Sequence, residues 1–288
     1  MSETIMTAPG KLGDALMQWP VMYQWAQQTG KTFTAWMDEK TCAGLKNLFE
    51  SQDCCDKVEF KPGIDNYQCG GQPFHFNLES SDFKDRTIYH MGYRSFPVRQ
   101  LTLESAENAK LPIKLDRRKL AQEPSFIFTG IENKNRVILH GNPICPHSRT
   151  TPQFWKFLSG ISKELEDEFD ELVFVGSERD REMGMRAYGG ETSADVCKWQ
   201  QFDDGGDWLK LAQLVSGSRL VIACGSAVAA LGGALKVPTI RVHDPIGGHS
   251  KNIWSNLSDN QLNDTEIELR KSWPEFKARW LVKEAVSG

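Results

Sequence analysis

Strand and helix signals alternate along both halves of this chain. Short apolar runs at 3–8, 32–37, 57–60 and 87–89 predict strands in the first half, and those at 136–140, 172–175, 219–223 and 237–242 predict strands in the second. Patterns with helical spacing lie between them, at 14–29, 41–51, 151–166, from 178, at 207–215 and at 226–235. Successive parallel strands need a crossover helix, so this alternation predicts an α/β fold with mostly parallel sheets.

The alternation weakens between residues 90 and 124 and then restarts, which divides the chain into two units. We expect two Rossmann-like domains facing a cleft, with residues 1–125 in the first and 126–268 in the second. The segment 90–124 is predicted to be mostly irregular, and 255–268 to be a polar linker. An amphipathic helix at about 272–285, within the final segment 269–288, is expected to pack back across both domains. A chain of 288 residues is long enough for two separate cores.

A turn rich in glycine joins the first predicted strand to the first predicted helix. It contains Gly10, Lys11 and Gly13, and Asp14 follows directly. Such a turn brings backbone N–H groups and a helix N-terminus towards a ligand, so these residues are candidates for contact with a phosphate or an acceptor. The carboxylate of Asp14 can either cap the helix or act as a base in the same space.

Candidate ligand contacts also follow the predicted strands of the second half. His140 closes one strand, and the small residues Gly225, Ser226 and Ala227 open a helix after another. Ligands of open α/β sheets bind at the carboxyl ends of the strands, where the helix N-terminus favours a diphosphate. Close helix–strand packing is the structural alternative for these small residues. Neither half contains G-x-G-x-x-G or the P-loop spacing, which disfavours dinucleotide dehydrogenases and P-loop ATPases.

Composition narrows the class of protein. The net charge of −4 gives no support for a general nucleic-acid binder, and no apolar run approaches the length of a membrane span. The first residues lack the features of a signal peptide, and the seven cysteines are odd in number, so we expect a cytoplasmic protein with reduced thiols. Cys42, Cys54, Cys55 and Cys69 lack the C-x₂-C spacing of structural zinc, and no metal site is predicted.

Several motifs occur in an order that resembles one family. They are Gly13-Asp14 with Pro20, His140, Trp155, the run 175–178 and the run 226–238. Together they are similar to the ADP-heptose:lipopolysaccharide heptosyltransferase family, which has the GT-B fold, over residues of about 3–243. The resemblance implies an inverting, metal-independent glycosyltransferase of lipopolysaccharide biosynthesis that moves a sugar from a nucleotide-sugar donor to a glycan-type acceptor. It implies no cofactor beyond the nucleotide sugar as co-substrate.

The resemblance also implies roles for individual residues. Asp14 takes the place of the general base, and Arg149 lies near a basic residue that binds the donor phosphates. Donor contacts are implied for Gly176, Ser177 and Glu178, where Glu178 matches an acid that contacts the ribose or base, and for Gly225, Ser226 and Ala227. His140 and His249 are further candidates for the cleft.

The chain departs from the family pattern at two positions. Gly225 stands where the family has an acid, and Ala230 stands where it has a histidine. Donors other than ADP-heptose therefore stay open. So do three other functions: an epimerase of similar shape, a transferase that acts on modified nucleobases, and a non-enzymatic binding protein with a degenerate donor site.

Two groups of side chains, one basic and one aromatic, have both a functional and a structural interpretation. Arg94, Arg99, Arg117, Arg118 and Lys119 either line an acceptor groove for a phosphorylated or acidic glycan or form a solvated surface. Trp36, Trp199, Trp208 and Trp254 are candidates for stacking on sugars, whereas Trp19, Trp25 and Trp155 are expected in the core.

Overall fold

The computed structural model describes residues 3–62, 64, 85–91, 109–141, 165–176, 200–202, 205–224, 226–243 and 264–268. The first half forms a four-stranded sheet in the order β3-β2-β1-β4, with every pair of neighbours parallel. Its strands are β1 (Glu3–Thr7), β2 (Phe33–Met37), β3 (Cys55–Phe60) and β4 (Arg86–His90). Each corresponds to a predicted strand.

The second half forms a six-stranded parallel sheet in the order β10-β9-β8-β5-β6-β7. Its strands are β5 (Lys134–His140), β6 (Glu171–Val175), β7 (Gln200–Phe202), β8 (Ser218–Cys224), β9 (Thr239–His243) and β10 (Asp264–Glu268). Strand β10 lies inside the segment 255–268, so the prediction of a linker there was wrong over these five residues. The two parallel sheets confirm the predicted α/β fold of two Rossmann-like units.

The helices connect the strands as crossovers require. They are α1 (Leu12–Thr29), α2 (Glu39–Cys42), a 3₁₀ turn (Ala43–Leu45), α3 (Lys46–Glu50), α4 (Arg117–Gln122), α5 (Trp208–Ser216) and α6 (Ala227–Leu235). Helix α4 occupies part of the segment predicted as irregular. The N-cap residue of α4 stabilises this helix, because the Asp116 carboxylate accepts hydrogen bonds from the backbone N–H groups of Arg118 and Lys119. The predicted helix that starts at 178, the predicted helix at 272–285 and residues 151–164 of the predicted helix at 151–166 lie outside the described residues.

The strand order reverses once in each sheet. In the first sheet the reversal falls between β1 and β4, and in the second between β5 and β8. Crossovers from the two neighbouring strands leave in opposite directions at such a point, which opens a crevice at the carboxyl ends. The fold therefore places two crevices beside the turns that follow β1 and β5.

The two halves share an apolar core. Trp19 of α1 stacks on Phe126 with ring centroids 4.8 Å apart, and its indole N–H donates to the Ser125 carbonyl at 2.8 Å. The Ser125 backbone N–H in turn donates to the carbonyl of Ala234 in α6, at 2.9 Å. One buried cluster thus runs from the first sheet through α1 and α6 to the second. The domain boundaries 1–125, 126–268 and 269–288 stay a prediction.

Helix α6 approaches its sheet closely. A Cβ built on Gly232 would collide with the Thr239 hydroxyl of β9. Packing at Gly232 therefore requires a residue without a side chain. The start of the same helix lies at the crevice of the second sheet.

Candidate functional site

The turn between β1 and α1 is held by hydrogen bonds from three neighbouring elements. The Ala8 N–H donates to the Trp36 carbonyl at 2.8 Å, and the Gln18 side-chain amide donates to the Pro9 carbonyl at 2.9 Å. The Thr41 hydroxyl donates to the Gly10 carbonyl at 3.1 Å. Because consecutive peptide groups are tied to β2, α1 and α2, the position of the turn is fixed before any ligand binds.

Asp14 lies directly against this turn. Its Oδ2 accepts a hydrogen bond from the Lys11 backbone N–H at 2.9 Å, which closes the N-terminus of α1. Gly10 has a φ of +105°, and a Cβ built there would lie 2.6 Å from the Cβ of Asp14 and 2.7 Å from its Oδ2. Only glycine therefore fits at residue 10 while Asp14 keeps this position.

Burial changes the acidity of Asp14. Desolvation raises the pKa of this carboxyl to about 6, against the smaller opposing effects of the Lys11 N–H and the Lys11 charge. A carboxylate with a pKa near 6 is ionised at neutral pH and holds a proton more strongly than an ordinary aspartate. The structure thus shows the capping role, and the same group has the properties that a general base needs.

Gln18 is a part of this site that sequence reasoning missed. Its side chain is completely buried one helical turn beyond Asp14, and its Oε1 has no hydrogen-bond partner among the described residues. Buried amides in proteins are nearly always satisfied on both ends. An amide on an otherwise apolar helix face was the signal in the sequence, since its neighbours on that face of α1 include Ala15, Val21 and Met22.

His90 also lies at the crevice of the first sheet, and sequence reasoning did not single it out. It ends β4 in register with Thr7 at the end of β1, and the following Met91 N–H donates to the Thr7 hydroxyl at 3.2 Å. Burial lowers the pKa of the His90 imidazole, which is therefore neutral at pH 7. Its place at the end of a strand, the criterion applied to His140, was the available signal.

In the second sheet the structure brings two predicted residues into contact. His140 ends β5, and its Nδ1 lies 3.0 Å from the Oγ of Ser226, the N-cap of α6. Ser226 is 6% exposed, and its hydroxyl is directed at the imidazole instead of capping the helix. Because α6 follows β8, this hydrogen bond spans the point where the strand order reverses.

The other predicted donor contacts are described only in part. Gly176 follows β6 with a φ of +131°, which is a glycine conformation, and Ala227 begins α6 beside Ser226. Arg149, Ser177, Glu178, Gly225 and His249 lie outside the described residues. Their predicted roles stay predictions.

Trp36 does not have the predicted sugar-stacking role. Its side chain is fully buried on a face of the first sheet, beside Ile5 and Ile88, and its indole N–H donates to the Glu59 carboxylate at 3.0 Å. Trp19 and Trp25 are buried as expected. Trp208 packs against Gly44 and so helps join the two halves, whereas Trp155, Trp199 and Trp254 lie outside the described residues.

Three cysteines of the first half lie in the described ranges, Cys42, Cys54 and Cys55, and all three are buried. Burial raises the pKa of both Cys54 and Cys55 to about 12, so both are protonated thiols at neutral pH. Within the described ranges no three histidine, cysteine or acidic side chains are grouped as metal ligands. None of the helices described there combines the length and apolarity that crossing a membrane requires.

Comparisons with known proteins establish the fold. A scan against protein-family models gave no match, and a search of curated proteins also gave none. Solved structures do match over nearly the whole chain.

Three of the matching structures, each with a TM-score above one half, illustrate the similarity. The ADP-heptose lipopolysaccharide heptosyltransferase II of E. coli has a TM-score of 0.60 at 12% identity, over 98% of this chain and 99% of that one. The glycosyltransferase of family 9 from Veillonella parvula has a TM-score of 0.55 at 15% identity, over 98% and 89%. The E. coli heptosyltransferase WaaC with ADP has a TM-score of 0.53 at 13% identity, over 99% and 98%. These similarities show that the chain has the two-unit fold of those enzymes.

Proposed function

We propose that the protein is a glycosyltransferase that moves a sugar from a nucleotide-sugar donor to a hydroxyl acceptor, with Asp14 as its general base. The observation that carries this proposal is the position of Asp14. A carboxyl group with a raised pKa lies in a fixed turn at the crevice of the first sheet. The same fold in the two E. coli heptosyltransferases supports this reaction class.

The proposed reaction is a single displacement. The ionised Asp14 accepts the proton of the acceptor hydroxyl while that oxygen attacks the anomeric carbon of the donor sugar. The bond from the anomeric carbon to the phosphate oxygen breaks, and the nucleoside diphosphate leaves with the electron pair. Because the acceptor oxygen attacks from the face opposite to the leaving diphosphate, a single displacement inverts the anomeric carbon, and one base is sufficient. The raised pKa strengthens Asp14 as a proton acceptor while leaving it ionised at pH 7.

The second sheet supplies the donor half of this proposal. The first turn of α6 has N–H groups directed along its axis, and the helix dipole favours a diphosphate at that end. Ser226 and His140 lie at this turn, and the hydroxyl or the imidazole can donate to a phosphate oxygen once their mutual hydrogen bond rearranges. Such donors stabilise the negative charge that develops on the departing diphosphate. Stabilisation of this kind is usually the largest single contribution to the rate enhancement of an enzyme.

The donor contacts outside the described residues belong to the same proposal. Arg149 would clamp phosphate oxygens, and Glu178 would contact the ribose or base, as the resemblance implies. We keep ADP-heptose as one candidate donor among several, because Gly225 and Ala230 replace the acid and the histidine of the family pattern. A glycan is the first choice of acceptor, and a modified nucleic acid is the alternative.

A second candidate function rests on the same carboxylate. The hydrogen bond from the Lys11 N–H gives Asp14 a complete structural role as a helix-capping residue. Taken with the replaced residues Gly225 and Ala230, this favours a binding protein that keeps the fold without transferring sugar. Binding of a nucleotide sugar with no turnover would select this candidate.

A thermal-shift panel of ADP-, UDP-, GDP- and CMP-sugars tests the proposed donor site. A ligand that binds only the folded state at 100 times its Kd adds about 2.7 kcal/mol to the free energy of unfolding. We expect one nucleotide to raise the melting temperature equally in the wild type and in Asp14→Asn, because Asp14 acts on the acceptor side. A panel with no shift from any nucleotide sugar contradicts the donor site.

A further inference from the structure

A cavity lies away from the two strand-end crevices. It has a volume of about 770 Å³ and lies between the second half of α1 and residues 114–125, which we call the connector. Pro20, Tyr23, Gln24, Gln27 and Gln28 form one wall, and the connector forms the other. None of Asp14, His140 and Ser226 lines it. Its volume is in the range of cavities that hold small organic ligands.

The walls of this connector cavity are held in place by hydrogen bonds. The buried Gln24 donates from its amide to the Asp116 carbonyl at 2.9 Å and accepts from the Asp116 N–H at 3.0 Å. Gln28 donates to the Lys114 carbonyl at 2.9 Å. Two glutamines one turn apart on α1 thus fix the connector at a set distance from the helix, and the space between them is preformed.

The lining carries a specific combination of chemistry. Lys114, Arg118 and Lys119 are exposed cations at its edge, set against the carboxylates of Asp116 and Glu123, so the net charge of the lining is +1. One oxygen of Asp116 is already occupied by the N–H groups of Arg118 and Lys119, at 3.0 and 3.1 Å. Arg118 also donates from its Nε to the Gln122 Oε1 at 3.1 Å. The cations of the lining outnumber its carboxylates by one, which favours an anionic ligand.

The uncharged groups favour a ligand with hydroxyls. The amide of Gln27 can donate and accept, as sugar hydroxyls require. Tyr23 presents a half-buried ring, and burial raises the pKa of its phenol, which is protonated and able to donate at neutral pH. An aromatic face, amides and cations around one cavity match a saccharide that bears an anionic group.

We propose that the connector cavity binds a phosphorylated saccharide. The cations of the connector hold the phosphate, and Gln27 and Tyr23 of α1 hold the sugar ring. The ligand contacts the connector, which also joins α1 to α6 through Ser125, so it binds where the two halves of the protein meet. This site does not depend on the transfer reaction proposed above, because the readout is binding alone.

Calorimetric titration of the full chain with glucose 6-phosphate, glucose and inorganic phosphate tests the proposal. A maltotriose that carries one 6-phosphate is titrated alongside to identify the source of the ligand. We expect glucose 6-phosphate to bind at least tenfold more tightly than glucose or phosphate. Tighter binding of the trisaccharide supports the proposal with a glycan chain as the source, and equal or weaker binding supports it with a free sugar phosphate.

Paired variants locate the binding. The double variant Lys114→Gln with Lys119→Gln removes two cations of the lining, and Lys40→Gln with Lys210→Gln removes two exposed cations elsewhere. We expect at least a tenfold loss of affinity in the first variant and none in the second. Gln27→Trp, at an exposed position that tolerates a larger side chain, fills the cavity and abolishes binding.

Three results would overturn the proposal. They are no binding of either phosphorylated saccharide at millimolar concentration, equal affinity for phosphate and glucose 6-phosphate, and equal losses in the two double variants. Melting temperatures of all variants are measured first, so that only folded proteins are compared.

Discussion

Gly10 and Asp14 occupy positions that depend on each other. The backbone of Gly10 has a φ of +105°, and the space that a methyl group would fill there is taken by the Asp14 side chain, with its Cβ only 2.6 Å away. The carboxylate in turn accepts the Lys11 N–H that ends the same turn. The glycine at the end of β1 is therefore what allows a carboxylate to lie inside the turn.

The variant Gly10→Ala tests this dependence. We expect it to lower the free energy of unfolding by about 2–4 kcal/mol, because the strained φ and the displacement of Asp14 both contribute. Gly130→Ala is the matched control, since Gly130 has a φ of +72° and open space around a built Cβ. It should cost about 1–2 kcal/mol. Urea denaturation measures both, and equal costs would show that residue 10 does not constrain Asp14.

The pKa of Asp14 predicts a pH dependence of stability. The folded-state pKa of about 6 lies above the ordinary value, so the folded protein binds the proton more tightly than the unfolded chain does. The ionised carboxylate therefore destabilises the fold above pH 6, and this effect disappears as the pH falls below 4. Asp14→Asn removes the titration altogether.

Denaturation at a series of pH values measures the effect. Relative to Asp14→Asn, the wild type should lose on the order of 2–3 kcal/mol of stability as the pH rises from 4 to 6. A difference between the two proteins that is constant with pH, or that runs in the opposite direction, contradicts a raised pKa at this position.

Gln18 and Gln24 allow a matched test of how the turn is held. Both are buried amides on α1, but Gln18 donates to Pro9 in the turn and Gln24 to Asp116 in the connector. Gln18→Ala frees the Pro9 carbonyl and leaves space beside the turn that water can enter, so the pKa of Asp14 should fall by on the order of one unit. Gln24→Ala should leave that pKa unchanged, although it also destabilises the protein. NMR titration of the Asp14 carboxyl carbon measures this pKa in each variant. Equal changes of the pKa in both variants would show that the effect comes from a general loosening of α1.

The contact between His140 and Ser226 predicts a specific loss of donor affinity. Ser226→Ala removes the hydroxyl that lies 3.0 Å from the imidazole and begins α6. We expect binding of the nucleoside diphosphate to weaken by about 1 kcal/mol, or roughly fivefold. Ser218→Ala is the control, because its buried hydroxyl donates to the Leu214 carbonyl at the other end of β8. Titration calorimetry should find its affinity equal to that of the wild type, and parallel losses in both variants would remove Ser226 from the donor site.

The sequence predicted the strands of both sheets well, apart from the short outer strands β7 and β10. Apolar runs such as 136–140 are buried from both faces, and burial of this kind leaves a clear pattern. Strand β10 has the polar sequence DTEIE, and its pairing with β9 rather than its own composition makes it a strand. Helix α4 was missed for a similar reason, since its charged residues give no apolar period.

Three strand-end positions of the candidate site could be singled out from the sequence, but their arrangement could not. Asp14, His140 and Ser226 each stand out next to a strand end, which is a local property. The bond between His140 and Ser226 joins positions 86 residues apart, and only the order and register of β5 and β8 bring them together. Gln18 was missed because an amide on a helix has no recognisable role until its buried partner, the Pro9 carbonyl, is known.

The rate at which a bound nucleotide sugar loses its nucleoside diphosphate tests the central claim most directly. Water serves as the acceptor in this measurement, so the rate can be compared in the wild type and in Asp14→Asn without a known acceptor. We predict equal donor affinity for the two proteins and a rate at least ~100-fold lower in the variant, as expected on removal of a general base. Equal rates in the two proteins would contradict the assignment of Asp14 as the base.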